Sequence, residues 1–243
     1  MKVHKLVIRF KDLVRQYARE RLFNNRLFVD EVFSLEKIFI LLRGHGVIID
    51  TAVDIGANTG QWAKMFLRCY PQSRLLSIEA NAHNLPELRR TNPNCLQACL
   101  GARTGEMLKF YLPNPTIETV NTGASLYREL QAGYDCPNII HLETSTLDQF
   151  EEDFDLIKLD VQGAELDVLA GGTSKLTKAK LVMIEISLCQ YNLGAPLGAE
   201  VISYLHEQGF FLLAVNEVLF RHGKPIQLDL TFARNDLLWL SRL

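Results

Sequence analysis

Asp54, Gly56, Asn58 and Gly60 close a short apolar run in "VDIGANTGQWAK", just before residues with helical spacing. A plain tight turn needs only one glycine. Two glycines four positions apart let a backbone come close to a ligand, and the helix that follows offers unpaired N–H groups. A dinucleotide turn would read G-x-G-x-x-G and set a pyrophosphate on that helix start. Here the middle glycine is missing from G-A-N-T-G, and Asp54 would oppose a pyrophosphate. The same charge favours a ligand with a cationic head. Glu79 stands 25 residues beyond Asp54, at the end of the next apolar run. An acid there takes both ribose hydroxyls. The implied ligand is a nucleoside with positive charge and no phosphate, and S-adenosylmethionine fits. Taken singly, Asp54 reads as a helix cap or loop brace and Glu79 as an exposed loop acid. Their presence together in one strand–helix–strand unit points to a site.

A second group lies in "DLIKLDVQGAELDVLAG". Lys158 and Asp160 share one face of an apolar strand. A lysine in the middle of such a strand must find a partner, and Asp160 or Glu185 is the expected one. Glu165 opens the next helix and also reads as ordinary helix-start charge. His141, His206 and His222 read as surface or packing residues.

These residues need a scaffold. The chain has 243 residues, which suggests one main domain. With 48% hydrophobic residues it can build a core without metal or disulfide staples. From Thr51 onward, strand-like runs ("TAVDI", "RLLSIEA", "CLQACL", "DLIKLDV", "KLVMIEIS", "FFLLAVN") alternate with helical stretches. That alternation predicts an α/β fold, a mostly parallel sheet with helices on both faces. Between strands three and four, residues ~105 to 147 break the rhythm. "EMLKFYL", "NIIHLET" and the loop "TVNTGASLY" predict a small antiparallel insertion near the carboxyl edge, where such sheets bind ligands.

Residues 1–48 are expected to form a helical extension packed on a main domain of residues 49–243. Leu6, Phe10, Leu13, Val14 and Tyr17 recur at helical spacing, with a basic outer face carrying Lys2, Arg9, Arg15 and Arg19. That face is read mainly as solvated, with a weak contact to an anionic membrane surface as the sharper alternative. A second helix is expected in "DEVFSLEKIFILLRGHG", ended by Gly44 or Gly46.

The net charge of -2 gives no electrostatic case for a nucleic-acid partner. The five cysteines are odd in number and lack a C-x-x-C pair, so neither a disulfide framework nor a structural zinc site is expected. No signal peptide is apparent, and the longest apolar runs are about five residues against roughly 20 for a spanning helix. A cytoplasmic protein is expected.

Taken together, "VDIGANTGQWA", "LLSIEAN", "TGASL", "TLDQF" and "IKLDVQGAELDVLAG" resemble the FkbM family of S-adenosylmethionine-dependent methyltransferases, over roughly residues 50 to 240. The resemblance implies the class I methyltransferase fold, Rossmann-like, with seven strands of which the last is antiparallel; "NDLLWL" is expected to be that strand. By position it implies that Asp54, Gly56, Ala57, Asn58 and Gly60 line the methionine and ribose. Glu79 and Ala80 would take the ribose, Leu100 and Gly101 would flank the adenine, and Ser125 would sit near the mouth. The family's reactions imply O-methylation of a hydroxyl on a carbohydrate, glycolipid or secondary metabolite. Asp160, Lys158 and Glu185 are then the expected catalytic group. Many relatives carry Glu where this chain has Gln162, so a carboxylate role there is lost. No metal is assigned, although Asp160 and Glu185 would suit an oxygen-ligand cation site. A nicotinamide oxidoreductase and a non-catalytic cofactor-binding protein are the alternatives; Asp54 speaks against the first, and the joint presence of Asp54, Glu79 and Asp160 against the second.

Overall fold

The computed structural model describes residues 35–113, 123–130 and 138–242. The basic helix expected near residues 6–17 lies outside them. So do residues 119–122 of the loop "TVNTGASLY".

Helix α1 (Leu35–Gly44) leads into β1 (Thr51–Ile55), α2 (Gln61–Cys69), β2 (Arg74–Glu79), α3 (Leu85–Thr91) and β3 (Cys95–Gln97). Next come β4 (Cys99–Leu100), β5 (Met107–Leu112), β6 (Asn138–Ser145) and β7 (Leu156–Leu159). Then follow α4 (Glu165–Ala170), α5 (Thr173–Leu176), β8 (Leu181–Ser187), α6 (Gly198–Glu207), β9 (Phe210–Arg221) and β10 (Lys224–Arg234). The main sheet has seven strands in the order β3-β2-β1-β7-β8-β10-β9. All run parallel except β10, which is antiparallel to both neighbours. This is the expected class I methyltransferase arrangement, and the order reverses beside β1, where α/β sheets bind ligands.

Two readings of strands are corrected. The run "CLQACL" is broken at Ala98: β3 belongs to the main sheet, whereas β4 pairs with β6 in the small sheet β4-β6-β5. The antiparallel strand is Lys224–Arg234, not "NDLLWL", which coils into 3₁₀ turns over Asn235–Arg242. In β10 the residues Ile226, Leu230 and Phe232 are buried, while Gln227, Asp229 and Thr231 alternate onto the other face. Those polar positions hide the strand from a search for apolar runs.

Both faces of the sheet are covered, so β1 is buried at every position. On one face α1 and α2 lock through aromatic rings. Phe39 meets Trp62, Phe66 and Tyr70 edge-on at 6.0, 5.5 and 5.7 Å, and Trp62 stacks on Phe66 at 5.0 Å. Helix α1 ends where Gly46 turns left-handed at φ 76°. The Val47 N–H then donates to Leu42 O and the Gly46 N–H to Arg43 O, which satisfies the last carbonyls. Among the described residues no helix is long and apolar enough to cross a membrane.

Candidate active site

The turn after β1 is built on a close approach. Gly56 has φ 79°, and a Cβ there would lie 1.9 Å from the carbonyl oxygen of Asp160. Only glycine permits β1 and β7 to end side by side in this way. Asn58 and Gly60 are left-handed as well, at φ 50° and 88°. Asparagine tolerates that conformation better than other non-glycine residues. Its N–H donates to Glu79 Oε2 at 2.7 Å, and the Asn81 N–H donates to Oε1 at 2.7 Å. One carboxylate thus ties together the turns after β1 and β2. Burial raises the Glu79 pKa, against the pull of these two N–H groups. Each oxygen keeps a lone pair for a further donor.

Two cavities open at this carboxyl edge. The first is lined by Ile78, Ala80, Cys99, Leu100, Phe110 and Leu126, with Glu79 at its polar end. The second lies between α2 and the sheet and carries Lys158, Asp160, Glu185 and Asp229, with Trp62 and Asn216. Gly56, Asn58 and Asp160 line both.

Asp54 lines neither cavity. It is fully buried, and among the described residues its two oxygens receive no well-formed hydrogen bond. Its register partner on β7 is Lys158, whose Nζ lies 3.4 Å away. Lys158 also reaches Asp160 at 3.2 Å. Burial would lower the lysine pKa, but Asp160 and Asp54 outweigh it and hold the ammonium above its ordinary range. Burial in turn raises the Asp54 pKa. The expected pairing of Lys158 with Asp160 is therefore present, and that with Glu185 is replaced by one with Asp54.

Glu185 is reached by amides instead. Gln162 Nε2 donates to Asp160 Oδ1 at 2.9 Å and to Glu185 Oε1 at 2.7 Å, and Gln227 Nε2 donates to the same Glu185 oxygen at 2.7 Å. Where a carboxylate would add repulsion, Gln162 supplies two donors. It is held left-handed at φ 56°, with its carbonyl accepting from Ser125 Oγ at 2.7 Å and from Asn192 Nδ2. Glu165 braces the same turn, accepting from the Val161 and Gly163 N–H groups. Burial nonetheless pushes its pKa to about 7.

The other expected residues divide. Ala57 lines the second cavity, and Ala80 and Leu100 the first. Ser125 is buried and supports the Gln162 turn, while its neighbours Ala124 and Leu126 line the wall. Gly101 faces an outer groove rather than the first cavity, and its carbonyl packs under Gly171. Gly60 packs against Thr91 and Leu88. Both residues were expected at the ligand; the structure gives them backbone packing roles.

Asp229 was missed. It is the register partner of Glu185 and lines the second cavity. Burial, followed by the nearby Asp160, pushes its pKa to about 7. The same causes hold Glu185 well above the carboxylate range. Asn216 was missed too: a bulge in β9 sets it between Val215 and Glu217 outside the strand register, and it accepts from Thr231 Oγ at 2.6 Å. The period-2 alternation of "IQLDLTF" was the available signal for Asp229.

A methyltransferase FkbM domain model matches residues 54–212. The chain belongs to the FkbM methyltransferase family. Its cofactor is S-adenosyl-L-methionine, and the residues present fit that group. The apolar first cavity suits an adenine, Glu79 retains acceptors for ribose hydroxyls, and the carboxylate of Asp160, which lines both cavities, suits a sulfonium. Over 156 aligned residues this FkbM-family chain is 30% identical to the 2-O-methyltransferase NoeI of Sinorhizobium fredii (strain NBRC 101917 / NGR234). The alignment covers 56% of this chain and 62% of that protein, so the chain spans less than two thirds of its relative. Among solved structures, the methyltransferase FkbM from Methylobacillus flagellatus KT aligns with a TM-score of 0.48 and 14% identity, covering 74% of this chain and 43% of that one. The magnesium protoporphyrin IX methyltransferase ChlM from Synechocystis PCC 6803 aligns at 0.44 and 11%, covering 82% and 77%.

Proposed function

We propose that this protein methylates a hydroxyl group of a carbohydrate, glycolipid or secondary metabolite. The observation that carries the reading is the junction of the two cavities at Gly56, Asn58 and Asp160. One cavity suits a nucleoside, the other has room and polar groups for an acceptor, and they meet beside a carboxylate. The likeness to a 2-O-methyltransferase supports oxygen as the methylated atom.

When bound, S-adenosylmethionine supplies an electrophilic methyl group on sulfur for in-line transfer. The chain must hold the acceptor oxygen in line, which is worth several kcal/mol, and must take its proton. Asp160 is held by Lys158 and Gln162, so its part is electrostatic: it stabilises positive charge at the junction. Glu185 and Asp229 line the acceptor side with proton affinities raised by burial and by Asp160, that of Asp229 to about 7, which suits removal of the hydroxyl proton. Transfer would join the methyl group to the acceptor oxygen and leave the electron pair of the broken bond on sulfur, and Glu185 or Asp229 would take the hydroxyl proton. We place the enzyme in the cytoplasm as part of this reading; Cys69, Cys95, Cys99 and Cys189 are free thiols.

The test is calorimetric titration with S-adenosylhomocysteine, with NAD as control, followed by mass spectrometry of hydroxylated acceptors incubated with S-adenosylmethionine. Binding of the first ligand alone and one methyl group gained on oxygen are expected. Methylation on nitrogen or carbon would overturn the assignment of oxygen.

A further inference from the structure

The far wall of the second cavity gathers carboxyl groups that, among the described residues, no hydrogen bond or ion pair to a cation engages. Glu185 faces Asp229 across β8 and β10, and Asp229 faces Glu217 across β10 and β9. Register partners share a face, and like charges placed opposite each other repel. Lys158, which lines the same cavity, is already shared between Asp54 and Asp160. Gln162 and Gln227 both donate to Oε1 of Glu185. Glu185 Oε2 and both oxygens of Asp229 receive no hydrogen bond from a described residue. On another wall Trp62, nine-tenths buried, has an indole N–H with no acceptor among the described residues.

These two unmet demands are of opposite kinds. The carboxylates call for a donor, best a cation, because carboxylate charge removed from water is costly without a partner. The indole N–H calls for an oxygen lone pair. We propose that the acceptor is an amino alcohol, such as an amino sugar, whose ammonium group is held by Glu185 and Asp229 while one of its hydroxyl oxygens accepts from Trp62. This deepens the methyl-transfer reading and rests on it. A neutral polyol would satisfy the indole but leave the charge uncompensated. A divalent cation is disfavoured, since among the described residues no three acidic, histidine or cysteine side chains converge into a ligand set.

The test titrates the protein, saturated with S-adenosylhomocysteine, with glucosamine, N-acetylglucosamine and glucose up to about 50 mM. The wild type is compared with the Glu185→Gln/Asp229→Asn double variant and with Trp62→Phe. Glucosamine is expected to bind at least tenfold more tightly than the two neutral sugars. The preference should vanish in the double variant, while Trp62→Phe weakens all binding without changing the preference. Equal or tighter binding of the neutral sugars overturns the proposal, as does a preference that survives the double substitution. Absence of binding by all three sugars overturns it as well. Retained binding of S-adenosylhomocysteine shows that the double variant is folded. Its loss in the wild type would instead sink the methyltransferase reading.

Discussion

The ammonium group of Lys158 stands 3.4 Å from the carboxylate of Asp54 on the adjacent strand, and both side chains are withdrawn from solvent. Neither lines the first cavity. The pair forms a charged floor beneath Asp160, which does line it. Removing one member leaves the other buried and uncompensated. Lys158→Met should therefore destabilise the fold by about 3–5 kcal/mol, measured by urea unfolding. The double variant Asp54→Asn/Lys158→Met should recover most of that loss. Equal destabilisation in the single and double variants would mean that the pair is not coupled.

Gly56→Ala tests the close approach of β1 and β7. The added Cβ would collide with the Asp160 carbonyl, in a backbone conformation that L residues avoid. The expected cost is about 3 kcal/mol or more, together with loss of S-adenosylhomocysteine binding in calorimetry. A variant with wild-type stability and affinity would show that the turn relaxes freely.

The parallel sheet, its helices and the antiparallel insertion are legible in the sequence because strands buried on both faces appear as continuous apolar runs. So were the acids that follow or end such runs and line the cavities, Glu79 and Asp160; Asp54, read as a ligand residue, is instead the buried partner of Lys158. The site's other half was not. Asp229 lies on a strand whose cavity-facing positions are polar, so the strand carries no apolar run. Asn216 enters through a bulge, and a single extra residue leaves no period to detect. The bridge made by Gln162 depends on a left-handed backbone that the motif does not spell out. Sequence patterns report burial well; they report poorly which polar groups the fold turns toward one another.

The place of Gln162 between two acids yields a pH signature. In Gln162→Glu a third carboxyl would sit beside Asp160 and Glu185, so its pKa in the folded protein would be raised above its unfolded value. Its neutral form costs little, and that tolerance is complete below the unfolded pKa and lost as pH rises through the folded one. The melting temperature of the variant should match the wild type near pH 5 and fall progressively below it toward pH 8. A constant offset at both values would place the side chain away from the two acids.

Ionisation of Asp229 should tune the choice between substrate and product cofactor. Its pKa lies at about 7, so the cavity gains negative charge as pH rises from 5.5 to 7.5. S-adenosylmethionine carries a sulfonium, and S-adenosylhomocysteine does not. Negative charge gained in a partly buried site strengthens the binding of a nearby cation several-fold. The affinity ratio of the two ligands should shift toward S-adenosylmethionine over that interval, and Asp229→Asn should flatten the shift. A ratio independent of pH in the wild type would remove Asp229 from the cofactor's field.

Glu79 joins the architecture to the ligand most directly. Its oxygens already accept from Asn58 and Asn81, so Glu79→Gln would turn an amide N–H₂ toward one of those N–H groups. The change thus removes an acceptor for ribose and places two donors face to face at the same carboxyl edge. Losing a hydrogen bond to a charged group costs about 1.5–3 kcal/mol, so affinity for S-adenosylhomocysteine should fall by roughly 10- to 100-fold. Because the loss is local, the sheet should survive, and circular dichroism should be unchanged at 25 °C. Glu79→Asp provides the control: it keeps the charge but withdraws it by one methylene, and should bind with intermediate affinity. If Gln and Asp are equally poor while both remain folded, position rather than charge governs the grip. If Gln binds as well as the wild type, Glu79 only braces the two turns, and the ribose is held elsewhere.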